Sequence, residues 1–206
     1  LVFARKPAPV QIAWLGYPGP NATGAMDYWI SDSSLAPPGT ENSLGSERPL
    51  RLPDCWTCFG VPVGSPEPNE LPANRNGFVT FGSFNNFAKI NEDVLVQWAD
   101  ILRHVEGSRL VLLLKGSNPE RTLGVLSREG IAPERVEFLR YYPPPEQAHS
   151  GGGIEYLFRY HQIDIALDPF PYNGMTTTCD ALWMGVPVIA RIGQTDRKST
   201  RLNSSH

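Results

Sequence analysis

Residues 77 to 195 alternate between short apolar runs and longer amphipathic ones. FVTFGSF (78–84) is β-branched and aromatic, as a strand should be. NEDVLVQWADILRHV (91–105) follows, with Asn91 as a cap, acids in the first turn, and Leu95, Trp98, Leu102 and Val105 on one helical face. RLVLLL (109–114) is continuously apolar, the pattern of a parallel strand covered on both sides. NPERTLGVLSREG (118–130) offers an Asn cap, Pro at the first helical position and Gly at the end. VEFL (136–139) reads as a strand and 143–153 as a Pro- and Gly-rich loop. IEYLFRYH (154–161) reads as a helix, IDIAL (163–167) as a strand, TTCDALWMG (177–185) as a helix and PVIA (187–190) as a strand. Strand–helix alternation at this spacing predicts an α/β fold with a doubly wound parallel sheet.

Residues 1 to about 75 behave differently. They are rich in Pro and Gly and carry few long periodic patterns. VQIAWLGY (10–17) and DYWISD (27–32) read as short strands; 35–49 and 62–77 read as loop or linker. The expected division is therefore 1–75 as the end of one lobe with its linker, and 76–195 as the first part of a second.

The last stretch, DRKSTRLNSSH (196–206), has the sequence of a translated DNA-sequencing adapter and is set aside. With Leu1 in place of an initiator Met, the chain reads as an internal fragment of a longer protein. Without the tail, 15 basic and 20 acidic residues remain, which argues against a general nucleic-acid binder. No apolar run reaches the roughly 18 residues that a membrane span needs.

Candidate chemistry gathers at the ends of the strands. In a parallel sheet, ligands bind outside the C-terminal strand ends, where loops enter helix N-termini. DPFPYNGMTTTCD (168–180) leaves one such strand. Its three threonines open the next helix: one can cap it, and the others can turn hydroxyls toward a phosphate held on the free N–H groups. Gly174 lets the backbone approach closely. The stretch lacks G-x-G-x-x-G and P-loop spacing, so anion binding and a merely well-capped helix both remain open. FGSFNNFAKIN (81–91) leaves the first strand on the same edge and brings Lys89 to a second helix start. Two helix starts, three threonines and one lysine suit a diphosphate held without metal, and no D-x-D pair is present to carry a divalent ion. Cys55 and Cys58 have C-x-x-C spacing, but no helical pattern follows and no second pair exists. Trp183 and Met184 read as core, and His161 as a helix-end residue.

PVQIAWLGYPG, MDYWISD, GFVTFGSFNNFAKI and YHQIDIALDPFPYNGMTTTCDALWMGVPV, in this order, resemble the catalytic region of the bacterial O-linked N-acetylglucosamine transferases, the SPINDLY-like proteins with N-terminal tetratricopeptide repeats. The resemblance covers most of residues 7 to 190. It implies a GT-B type fold and a cytoplasmic enzyme that moves a sugar from a uridine diphosphate donor to Ser/Thr hydroxyls of proteins, with inversion and without metal or other cofactor. By the same resemblance Lys89 contacts the diphosphate and is the catalytic candidate, with Asn86 beside it. Thr176 and Thr177 start the phosphate-binding helix after Gly174, and Asp180 accepts the ribose hydroxyls. Tyr156 lies against the uracil and Arg159 near the base edge. Met175 and GSER (45–48) depart from the family pattern, which leaves the sugar-side contacts open. Other donor sugars (fucose or glucose) and a non-catalytic interaction module are the alternatives; the intact Lys89, Thr176 and Asp180 speak against the module.

Overall fold

The computed structural model describes residues 2–17, 19–39, 45–114, 119–140 and 154–191. The expected Asn118 cap, the 143–153 loop and the 196–206 tail lie outside these residues. The described residues form two compact units, 2–59 and 60–191.

The first unit is built on a parallel three-stranded sheet in the order β1 (Ile12–Ala13), β2 (Tyr28–Asp32), β3 (Arg48–Leu52). Only two residues of the expected 10–17 strand pair, whereas β3 lies across a stretch partly read as loop. Its sequence, RPLRL, carries a proline that argues against a strand interior, and its burial alternates weakly. Asp32 closes this unit. One carboxylate oxygen accepts the N–H groups of Ser34 and Leu35, the other that of Trp56 at 3.0 Å. Trp56 is buried between Cys55 and Cys58, neither of which forms a disulfide among the described residues. Among the described residues no three His, Cys, Asp or Glu side chains cluster as metal ligands.

The second unit carries a five-stranded, fully parallel sheet. Its strands are β4 (Thr80–Ser83), β5 (Arg109–Leu114), β6 (Val136–Arg140), β7 (Ile165–Leu167) and β8 (Val188–Ile189), in the order β6-β5-β4-β7-β8. Residues 62–77, read as loop or linker, belong to this unit and include a short helix, α1 (Pro72–Asn76). Asp164 explains why: its two oxygens accept the N–H groups of Ala73 and Thr80, tying the helix start to β4.

Strand β5 shows the double winding. Leu110 and Leu112 join one core with Val94, Leu95, Trp98 and Leu102 of α2 (Glu92–His104) and Val125 and Leu126 of α3 (Pro119–Arg128). Val111 and Leu113 join the other, with Phe84, Leu157, Tyr160 and Ala181 of α4 (Thr176–Trp183). Alternate residues of one strand thus face opposite layers. Gly82 lets β4 lie this close to its neighbour, because a Cβ there would stand 2.6 Å from the Ile163 side chain. Asn91 caps α2 as expected, accepting from Val94 N–H at 2.9 Å. Ile154–Gln162 is helical but wound as a 3₁₀ segment. Trp183, expected in the core, is 47% exposed, whereas Met184 is buried.

The strand order reverses direction between β4 and β7. Both elements expected to carry the site leave the sheet there, at its carboxyl edge.

Candidate functional site

The first residue after β7 organises the site. Asp168 is buried, and the donors to its carboxylate come from the two loops at the switch point. One carboxylate oxygen accepts the Gly174 N–H at 2.7 Å and the Asn85 side-chain amide at 3.2 Å; the other accepts the Asn173 amide at 2.8 Å. Burial pushes the Asp168 pKa up, while these donors and the Lys89 charge pull against that rise. Asn85 is the second residue after β4 and is also buried. Its oxygen accepts the Thr177 hydroxyl at 3.0 Å. Lys89 ends the 3₁₀ turn Phe87–Lys89, and its ammonium donates to the Asn173 carbonyl at 3.1 Å. A cation is thus held on the same loop that enters α4.

The three threonines do not act as expected at one point. None of them caps the helix: the N-cap position is Met175, whose side chain makes no capping bond. Thr176, Thr177 and Thr178 all lie in the first turn. Thr177 turns its hydroxyl inward to Asn85, and Thr178 donates to the Gly174 carbonyl at 3.3 Å. Thr176 is exposed. Among the described residues, the N–H groups of Thr176, Thr177 and Thr178 meet no acceptor. An unconsumed first turn with a partial positive charge is what an anion requires. Gly174 is needed for space. A Cβ there would run into the Thr177 hydroxyl and stand 2.8 Å from Asn85 Oδ1, and its N–H is committed to Asp168.

The remaining candidates divide. Tyr156 is partly buried, and its hydroxyl lies 3.0 Å from that of Tyr160, which donates to the Thr177 carbonyl at 3.0 Å. Tyr156 is thereby linked to the α4 start. Asp180 sits one turn into α4 and is buried; burial pushes its pKa up to about 6. Among the described residues its carboxylate makes no hydrogen bond. Arg159 turns instead toward the end of β6 and donates to the Arg140 carbonyl at 3.2 Å. Asn86 is exposed and caps its own turn, accepting the Ala88 N–H at 3.1 Å. Lys89, Gly174 and Thr177 are therefore linked through Asn173, Asp168 and Asn85, whereas the bonds described for Asn86 and Arg159 lead elsewhere.

Comparison with known proteins fits this geometry. The glycosyl transferase family 41 model matches residues 1–54 and 61–206. The chain belongs to glycosyl transferase family 41. It is 43% identical over 198 residues to a probable UDP-N-acetylglucosamine–peptide N-acetylglucosaminyltransferase, SPINDLY, of Arabidopsis thaliana, covering 93% of this chain and 20% of that one. It is 27% identical over 198 residues to a second Arabidopsis protein of that description, SEC, covering 91% of this chain and 19% of that one. A solved mutant of the Thermobaculum terrenum O-GlcNAc transferase superposes with a TM-score of 0.82 at 38% identity, over 98% of this chain and 37% of that one. A sucrose-phosphate synthase of Thermosynechococcus elongatus shares the fold alone, with a TM-score of 0.54 at 15% identity. The family 41 chain thus has a GT-B type fold with Rossmann-like parallel sheets, and it spans about a fifth of the length of the curated relatives it matches.

Asn85, Asp168 and Asn173 are the site residues that the sequence reading passed over. The available signal was the polar residue at the first positions beyond two apolar strands, in SFNN and LDPFPYNG. Small amides and carboxylates there can bond the backbone of a following loop.

Proposed function

We propose that this chain is the donor-binding part of an inverting, metal-independent glycosyltransferase. It moves N-acetylglucosamine from its uridine diphosphate ester to Ser and Thr hydroxyls of proteins. The observation that carries this reading is the joint holding of Lys89 and the uncapped α4 start by one loop, through Asn173 and Asp168. In direct displacement, the acceptor hydroxyl attacks the anomeric carbon and gives up its proton to a general base, the bond to the β-phosphate oxygen breaks, and UDP leaves with the electron pair. The work of the protein is positioning and stabilising charge on that oxygen. The Lys89 ammonium and the first-turn N–H groups of Thr176 and Thr177 do so without a metal. Asp180, a buried acceptor, takes the ribose hydroxyls, and Tyr156 packs against the base.

The relatives named as N-acetylglucosaminyltransferases support the donor and the protein acceptor. Upstream tetratricopeptide repeats and a cytoplasmic location belong to the same reading. The described residues contain no helix long and apolar enough to cross a membrane.

The test is transfer by the longest open reading frame that encodes this chain. It is run on a protein acceptor mixture with radiolabelled UDP-N-acetylglucosamine, UDP-glucose and GDP-fucose in parallel, with and without chelator. Transfer from the first donor, unchanged by chelator, is expected. Transfer from another donor alone moves the reading to a different sugar. Binding without transfer from any of them would leave a non-catalytic module.

A further inference from the structure

Tyr160 has no part in the chemistry above, yet it reaches into the site. It is 2% exposed, and its ring packs edge-on against Phe84 at 4.9 Å, directly after β4. Its hydroxyl lies 3.0 Å from the Thr177 carbonyl and 3.0 Å from the Tyr156 hydroxyl. A carbonyl only accepts, so the single phenol proton of Tyr160 goes to Thr177. The contact between the two phenols is then donated by Tyr156. The direction of the chain is fixed: Tyr156 to Tyr160 to Thr177. Burial raises the Tyr160 pKa far above its ordinary value, so the proton stays in place throughout the working pH range.

Thr177 is therefore held from two sides. Its hydroxyl is pinned to Asn85, and its carbonyl is pinned by Tyr160. A helix start is ordinarily fixed by a capping side chain that consumes one of its N–H groups. Here the cap is absent, and two tertiary bonds on the carbonyl and hydroxyl of Thr177 restrain the first turn without consuming any N–H.

We infer that Tyr160 is a positioning residue for the α4 start. Its hydroxyl fixes the first turn so that the N–H groups of Thr176 to Thr178 stay aimed at a diphosphate. This rests on the donor reading above. It assigns a role in phosphate binding to a buried phenol that acts through the Thr177 carbonyl.

Tyr160→Phe keeps the ring and removes only the hydroxyl. The probes are UDP and uridine, titrated against wild type and variant of the full open reading frame, with thermal melting alongside. Loss of one positioning hydrogen bond should weaken UDP about fivefold. Uridine, which has no phosphate to meet the helix start and feels the change only through the Tyr156 hydroxyl, should weaken clearly less than UDP, and the melting temperature should stay within about 5 °C. Equal weakening of UDP and uridine, or no weakening of either, overturns the assignment. So does a variant that fails to fold, because the hydroxyl is then an element of stability instead of position. If wild type binds uridine and UDP alike, or neither, the donor reading itself falls, and that outcome is read before any variant is made.

Discussion

The Lys89 ammonium and the Asn173 carbonyl lie 3.1 Å apart, across 84 positions of sequence. This bond joins the loop after β4 to the loop after β7, the two loops that flank the reversal of strand order. It also orients a cation beside a helix start that already carries partial positive charge, an arrangement that costs about 0.3–1 kcal/mol unless an anion is bound. The cost is tolerable because the lysine is only half-buried and the neighbouring Asp168 opposes its charge.

Lys89→Ala should therefore damage the chemical step more than binding. A hydrogen bond to a charged group is worth about 1.5–3 kcal/mol, and an effect shared equally by ground and transition states would change KM alone. The β-phosphate gains charge as the sugar leaves, so a fixed cation acts most strongly there. We expect kcat to fall at least about 100-fold with a smaller change in UDP affinity. Steady-state kinetics beside calorimetric titration decides this, and near-normal kcat in a folded variant makes Lys89 an ordinary loop lysine.

The sheet and its helices were legible because their signals are local. RLVLLL has the length and continuous apolar pattern of a strand covered on both faces, and Asn91 announces α2 by its own side chain. The site was legible only in outline. Lys89, Thr176 and Thr177 stand where a strand feeds a helix, and that can be read along the chain. The division of labour among the threonines cannot, because it depends on Asn85, which stands 92 positions from Thr177. Strand β3 and helix α1 were missed for a related reason. Each contains a proline, and each is held by partners distant in sequence, as Asp164 holds Ala73.

Gly174→Ala tests the packing of the α4 entry. The added methyl meets three polar atoms of the network, from Thr177, Asn85 and Asp168, and none of them is the free end of a long flexible chain. Overpacking of this kind typically costs about 1–3 kcal/mol. A lower midpoint in urea unfolding is expected, with a parallel loss of UDP binding. An unchanged midpoint would show that the loop has room the structure does not give it.

Asp168→Asn changes one oxygen to an amide of nearly equal size. Three donors now face that carboxylate, from Asn85, Asn173 and Gly174, and an amide offers an acceptor to only some of them. At least one buried donor is left unpaired, at about 1–3 kcal/mol. Urea unfolding should register that loss, and kcat should fall as the Lys89 loop loosens. Full stability together with full kcat would rule out Asp168 as the anchor of the site.

Asp180 sets the pH dependence. Burial raises its pKa to about 6 from an ordinary 3.8, so the folded chain holds this proton more tightly than the unfolded chain does. Such a carboxyl favours the folded state most at low pH. That contribution is lost as pH rises from about 4 through about 6, since ionising the buried group then opposes folding. Asp180→Asn should accordingly raise the melting temperature of the ligand-free protein at pH 7.5 and change it little at pH 4.5. Donor binding should run the other way. A carboxylate accepts ribose hydroxyls better than a carboxylic acid does, so affinity should decline as pH falls through about 6. The probe must be UDP-N-acetylglucosamine and not UDP, because a terminal phosphate itself titrates near 6. A break near pH 6 in wild type, absent from Asp180→Asn, is the expected result. A break that persists in the variant would assign the titration to another group and remove Asp180 from the ribose site.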